Sequence, residues 1–179
     1  MAAQRTSIYQ GKVIELSIET TMLPNGQSVS LEIVHHPGGA AVVAVDEDHR
    51  LCMLRQYRHA AGGWIWELPA GKRELGEDPL QTAQRELEEE AGLRAAAWHK
   101  LGTTLTTPGF CDEVIHLYMA QGVTAVAARI EAHELLECYW LPWAQARDWV
   151  YDGTLTDAKS IIGIHLAGLA LNTSLLSKC

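Results

Sequence analysis

The chain has no run of roughly 18 apolar residues, the length a bilayer-spanning helix requires, which excludes such a helix. Its start, Met1-Ala2-Ala3-Gln4-Arg5, lacks the basic segment and apolar stretch of a secretory leader, so a cytoplasmic location is expected. The four cysteines, Cys52, Cys111, Cys138 and Cys179, are scattered with no C-x-x-C spacing. That pattern argues against a structural zinc site and for reduced thiols. Basic residues are outnumbered, 14 Lys and Arg against 22 Asp and Glu, for a net charge of -8. A general nucleic-acid binder would carry a basic face, so no nucleic-acid partner is expected. An acidic protein still binds phosphates when cations sit between its carboxylates and the phosphate oxygens. Internal repeats, low-complexity tracts and linkers are also missing. With 47% hydrophobic residues in 179, one domain with a substantial core is expected, or one domain plus a small appendage used in dimerisation.

Local patterning divides the chain into strands and helices. Lys12 to Met22 alternates, Pro24-Asn25-Gly26 marks a turn and Val29 to Val34 resumes the alternation, which predicts a hairpin. Further strands are expected at Ala40–Val45, Leu51–Tyr57, Trp64–Leu68, Ala96–Thr107, Val114–Ala120 and Leu135–Leu141. Asp78 as N-cap, Pro79 at the first helical position and Gly92 as the stop frame the best-marked helix. Pro142 to Tyr151 and Asp157 to Asn172 are read as two more helices. Strands and helices do not alternate regularly, so the class is α+β with a mixed sheet.

The chemistry-bearing segment is Gly71 to Leu93, GKRELGEDPLQTAQRELEEEAGL. Glu86, Glu89 and Glu90 are three and four residues apart and share one helix face. Leu80, Ala83, Leu87 and Ala91 recur on one apolar face, and the carboxylate face is expected to lie roughly opposite Leu80 and Ala91. Like charges at this spacing destabilise a helix by a few tenths of a kcal/mol per pair, and a hard divalent cation with oxygen ligands would offset that. A solvated acidic face is the alternative. Arg85, one turn before Glu89, is placed to hold a carboxylate, with Glu77 as its expected loop partner.

The residues around the cluster decide between the two. The segment resembles the signature of Nudix hydrolases, Gx5Ex7REUxEExGU with U apolar, at Gly71, Glu77, Arg85, Glu86, Leu87, Glu89, Glu90, Gly92 and Leu93. The resemblance implies a Nudix fold, an α/β/α sandwich with a mixed sheet, here preceded by an N-terminal β-hairpin. It implies Mg²⁺, with Mn²⁺ able to substitute, bound by Glu86, Glu90, Glu89 and the backbone carbonyl of Ala70. Glu77 and Arg85 would brace the loop against the helix. Residues 71–93 would form the signature segment of a hydrolase domain spanning 39–179, with 1–38 serving dimerisation and the substrate pocket.

Beyond the signature, Arg55-Gln56-Tyr57-Arg58, Trp66-Glu67-Leu68-Pro69-Ala70-Gly71, Thr107 to Glu113, Glu131-Ala132-His133-Glu134 and Thr156 to Ser160 are similar to ADP-ribose and nucleotide-sugar pyrophosphatases. That likeness implies Arg58, then Arg55, as ligands of the substrate phosphates. It implies a general base among Glu134, Glu131 and Glu113, in that order, with Glu113 also near substrate. The expected substrate is a nucleoside diphosphate joined to another group, ADP-ribose first and GDP-mannose or UDP-glucose as alternatives. A sensor that binds ADP-ribose without cleaving it is the rival of another class, disfavoured by an intact signature. Oxidised deoxynucleotides are a further alternative. Relatives of this group share their N-terminal hairpin between subunits, so a homodimer is expected. Trp64 or Trp66 is a candidate base-stacking residue, with core packing the alternative for each.

Overall fold

The computed structural model describes residues 4–130, 132 and 134–176. It separates into two compact units, and each is built around its own sheet system. One unit holds the described residues up to Gly38 together with Leu105–Val114. Its frame is an antiparallel meander of β1 (Gln4–Gln10), β2 (Glu15–Met22) and β3 (Ser28–His35). The turn at Asn25-Gly26 closes the β2–β3 hairpin, with Gly26 at φ 83°, a backbone conformation open to glycine. β1 is an addition to the expected hairpin. Every residue of β1 is exposed and it carries no apolar alternation, so nothing in its pattern announced a strand.

In this unit Val34 N–H donates to Phe110 O at 2.7 Å, and Asp112 N–H donates to Val34 O at 3.1 Å. His35 lies 2.6 Å from Asp112 and 3.0 Å from Glu19, while His36 Nδ1 lies 3.0 Å from Glu113 Oε1. The adjacent histidines thus meet neighbouring acids.

The second unit holds Gly39–Thr104 and the described residues from Ile115 onward. Its central strand is β4 (Gly39–Ala44), buried along its whole length. An uninterrupted apolar strand is what a position covered on both faces requires. β4 pairs antiparallel with the short β7 (Ala70–Lys72) and parallel with β9 (Val114–Ala125), and β8 (Leu93–Leu105) completes the mixed sheet in the order β7-β4-β9-β8. A second, antiparallel sheet runs β10-β5-β6, with β5 (Arg50–Arg58), β6 (Gly63–Glu67) and β10 (Leu136–Pro142).

Alternation along β4 sorts its side chains between two cores. Ala40, Val42 and Ala44 join Ala83 and Leu87 of α1 (Pro79–Ala91). Val43 joins Ile164 and Ala167 of α3 (Ala158–Leu176) and Ala146 of α2 (Trp143–Asp152). Helices therefore cover both sides, and the α+β class with an α/β/α sandwich is observed. At Gly163 a Cβ would sit 2.9 Å from Leu68, so the absence of a side chain lets α3 approach the strands closely. No helix among the described residues is long and apolar enough to cross a membrane.

Candidate active site

α1 begins where its sequence says it should. The Asp78 carboxylate accepts from Leu80 N–H at 2.8 Å, and Gln81 Oε1 accepts from Asp78 N–H at 3.3 Å. Gly92 ends the helix at φ 62° and donates to Glu88 O at 3.1 Å. The capped register decides which residues face inward, and the outcome differs from the expected face. Glu86 and Glu90 are buried, 8% and 2% exposed, along with Thr82, Ala83 and Leu87. The carboxylates do not oppose the apolar stripe. They flank it, because the chain at Ala70-Gly71 lies against that side of the helix.

The contact between helix and loop is close. Ala70 N–H donates to Glu90 Oε2 at 2.8 Å. At Gly71 a Cβ would overlap the Glu86 carboxylate, so glycine is needed for the backbone to approach it. Pro69 O accepts from Val42 N–H at 2.9 Å, which ties the loop to the central strand.

Arg85 joins the acids into one cluster. Its Nε lies 2.9 Å from Glu77 Oε1 and its Nη2 3.1 Å from Glu77 Oε2, a two-pronged pair. Nη1 donates to Glu86 Oε1 at 2.6 Å and to Glu89 Oε2 at 3.0 Å, and Nη2 also reaches Lys72 O at 3.0 Å. Glu77 further accepts from Thr82 Oγ1 at 2.8 Å and Glu74 N–H at 3.0 Å. The hydrogen bond from Arg85 is the main reason that the Glu77 carboxyl falls from its ordinary 4.5 to about 2. Arg85 in turn is held protonated far above its usual range, chiefly by Glu77 and then by Glu86 and Glu89.

Glu90 and Glu86 shift the other way. Burial pushes the Glu90 carboxyl well up; Ala70 N–H opposes this, and the charges of Glu86, Glu134 and Glu67 add to it. Burial also raises Glu86, against the pull of Arg85, and Glu89 and Glu134 reinforce the rise. No cationic side chain lies within ion-pair distance of Glu90 among the described residues. Buried carboxylates carrying excess negative charge suit a hard divalent cation, and an all-oxygen donor set with no thiol or imidazole is the set such ions prefer. Among the described residues no three His, Cys, Asp or Glu side chains are already closed into a cage. Arg85 instead holds Glu86 and Glu89.

The remaining candidates fall in different places. Arg58 and Glu134 line one pocket of about 320 Å³, together with Gln56, Tyr57, His59 and Ala60. Burial alone would lower the pKa of Arg58; its bond to Glu67 and the charges of Glu67, Glu90 and Glu134 raise it overall. Arg55 lies over the Trp64 ring at 5.6 Å, and Trp64 also meets Tyr57 edge to face. Trp66 packs on Tyr139 and Trp149, whereas Trp64, already in contact with Arg55 and Tyr57, is 45% exposed. Glu113 belongs to the other unit, where it contacts His36. Glu131 lies outside the described residues.

Two acids and two neighbours in the site had no role assigned from sequence. Glu67, 1% exposed, receives Arg58 Nε at 2.7 Å and Lys159 Nζ at 2.6 Å. Asp157 lies 3.0 Å from Lys159 Nζ, and Ser160 Oγ accepts from Leu68 N–H at 2.8 Å. The signal that marks Glu67 is a lone acid closing the apolar run Trp64-Ile65-Trp66, a position where only a paired carboxylate is tolerated.

Comparison with known proteins agrees with this geometry. The family described as NUDIX domain matches residues 35–161, and the chain belongs to the Nudix hydrolase family. It is similar to an ADP-ribose pyrophosphatase of Bacillus subtilis (38% identical, covering 90% of this chain and 88% of that protein). An ADP-ribose pyrophosphatase of Mycobacterium tuberculosis is also 38% identical, over 88% of this chain and 78% of the other. A methanol dehydrogenase activator of Bacillus methanolicus is 40% identical over 88% of this chain and 86% of its own length. A crystal structure of an ADP compounds hydrolase, 19% identical, covers 97% of this chain and 96% of that one with a TM-score of 0.81, which shows the shared fold.

Proposed function

We propose that the protein hydrolyses the pyrophosphate bond of ADP-ribose, giving AMP and ribose 5-phosphate, with Mg²⁺ as cofactor and Mn²⁺ able to replace it. The observation that carries this reading is the buried carboxylate cluster of Glu86 and Glu90 against Ala70-Gly71, in the same unit as a pocket lined by Arg58 and Glu134. The choice of ADP-ribose is supported by the two ADP-ribose pyrophosphatases at 38% identity, against 29% for the GDP-mannose pyrophosphatase of Cronobacter sakazakii.

Glu86, Glu90, Glu89 and the carbonyl of Ala70 would hold the cation. When bound, Mg²⁺ supplies positive charge that neutralises the diphosphate oxygens and makes water a stronger acid. The chain's own groups do the rest. Arg58, with Arg55 in support, binds the diphosphate and orients it. Glu134 takes the proton of the attacking water, with Glu131 the second choice for base. Arg85, fixed by Glu77, keeps Glu86 and Glu89 in place, so that little reorganisation accompanies the reaction.

The same reading extends to assembly and location. Ile8, Tyr9 and Met22 of the meander are 55%, 59% and 54% exposed, an apolar surface that supports a homodimer formed through residues 1–38, with 39–179 as the hydrolase domain. Free thiols at Cys52, Cys111 and Cys138, with Cys52 Sγ and Cys138 Sγ 3.4 Å apart and unlinked, support the cytoplasm. An acidic chain supports a small anionic substrate and no nucleic-acid partner.

The deciding assay is incubation with ADP-ribose, GDP-mannose or UDP-glucose, in Mg²⁺ or EDTA, with products separated by chromatography. AMP and ribose 5-phosphate formed only with Mg²⁺ are expected. Faster turnover of a nucleotide sugar would replace ADP-ribose as substrate. Tight ADP-ribose binding with no turnover would replace the hydrolase by a sensor.

A further inference from the structure

Arg58 is a half-exposed guanidinium with a buried anchor. Its side chain is 40% exposed, while its partner Glu67 is 1% exposed. A planar guanidinium facing a carboxylate normally takes both oxygens through two parallel N–H bonds. Here it does not. Arg58 meets Glu67 Oε1 through Nε, and Oε2 is held at 2.6 Å by the ammonium of Lys159.

Lys159 is itself fixed. It sits in the first turn of α3 with its side chain 16% exposed, and Asp157 lies 3.0 Å from its Nζ. Asp157 also caps the helix by accepting from Ser160 N–H at 3.1 Å. Ser160 accepts from Leu68 N–H, so the start of α3 grips two consecutive residues, the side chain of Glu67 and the backbone of Leu68. A lysine is a compact point charge that occupies one oxygen and leaves the other free. Its placement thus rations Glu67 to one bond per cation.

We propose that Lys159 is a positioning residue for pyrophosphate hydrolysis: by occupying Glu67 Oε2 it keeps Glu67 from drawing Arg58 into a two-pronged pair, and so leaves the outer edge of the guanidinium for the substrate's diphosphate. The proposal rests on the phosphate-binding role given to Arg58 above. Glu67 is the fulcrum, and neither Lys159 nor Glu67 touches the substrate.

The consequence is a rescue that a purely structural role does not give. In Lys159→Met the freed oxygen of Glu67 captures Arg58. In Glu67→Gln/Lys159→Met the amide offers Arg58 a single acceptor again, and the buried charge left over by the single change is gone. We expect Lys159→Met to raise the KM for ADP-ribose and the Kd for inorganic pyrophosphate, read by calorimetry, by about tenfold or more, with kcat within about threefold. The double variant is expected within about threefold of wild type in both KM and Kd. Melting curves establish that each variant is folded.

An unchanged KM and Kd in folded Lys159→Met would overturn the proposal, as would a double variant no better than the single. If Lys159→Met does not fold, the double variant decides alone: near-wild-type KM and Kd uphold the proposal and a tenfold loss overturns it. A wild-type protein that leaves ADP-ribose intact overturns the substrate reading only, and the pyrophosphate Kd then decides by the same thresholds. Absence of pyrophosphate binding by the wild type overturns the proposal.

Discussion

Glu90 sits in the least forgiving position of the site: buried, bonded to one backbone N–H, and repelled by Glu86, Glu134 and Glu67. A divalent cation relieves that repulsion, so Mg²⁺ is expected to raise the melting temperature of the wild type and EDTA to reverse the rise. In Glu90→Gln the gain should disappear and kcat should fall at least about a hundredfold, or ~2.7 kcal/mol. A variant that keeps both would remove Glu90 from the cation site. Glu134→Gln tests a different role: kcat lower by about a hundredfold with KM little changed is expected of a general base. Equal loss in both parameters would make Glu134 a binding residue instead.

Glu77 supplies a pH signature. Its carboxyl is lowered from 4.5 to about 2 in the fold, mainly by Arg85, so the folded state binds its proton less readily than the unfolded chain does. The stability it contributes is complete above pH 4.5 and is lost as the pH falls toward 2. Acid melting curves of Glu77→Gln should therefore lie below wild type at neutral pH and converge with it near the lower limit of that window. At this scale the legible residues were those one helix places in register. Arg85 and Glu89 are four positions apart and meet as the spacing requires. Glu67 and Lys159 are 92 positions apart, and only the packing of α3 against the strands brings them together.

Among the elements, the pairing of α1 with the loop at Ala70-Gly71 carries the most information. Gly71→Ala places a methyl group where the Glu86 carboxylate lies. Since the obstacle is the end of a side chain, Glu86 is expected to swing aside while the fold survives. Melting should change little and the Mg²⁺ dependence of activity should shift to higher concentration, with kcat down by about tenfold or more. Full activity in Gly71→Ala would mean that the close approach has no catalytic part. Capping residues made α1 readable from Asp78 to Gly92, whereas the face it buries was not, because burial of Glu86 and Glu90 depends on a loop outside the helix. β7 was hidden for a related reason. It is a short strand directly after Pro69, and its pairing with β4 is visible only once the sheet exists.

At the scale of the whole molecule the meander is the part whose purpose its own unit does not exhaust. Replacing Ile8 and Met22 by Lys adds charge to an exposed apolar surface and leaves the buried residues alone. Sedimentation at micromolar concentration is expected to show a homodimer for wild type and a monomer for this double variant. A wild-type monomer would remove the homodimer. Truncation before Gly39 is a harsher change, because it strips Phe110 and Asp112 of their bonds to Val34 and His36 and should lower the melting temperature.

The parallel pairing of β4 with β9 also governs when the protein comes alive. Gly39 must find Ile115, so the central strand waits for a distant part of the chain, and every residue of the cation site lies in the loop this pairing closes or beyond it. Pairings of that range form slowly, since a long loop is closed before its contacts repay the lost entropy. On a ribosome, α1 emerges well before the strand that completes the sheet behind it. The nascent helix is therefore expected to keep Glu86 and Glu90 in water until that pairing forms, and the Glu67 anchor of Arg58 gains Lys159 only with α3, after the last strand.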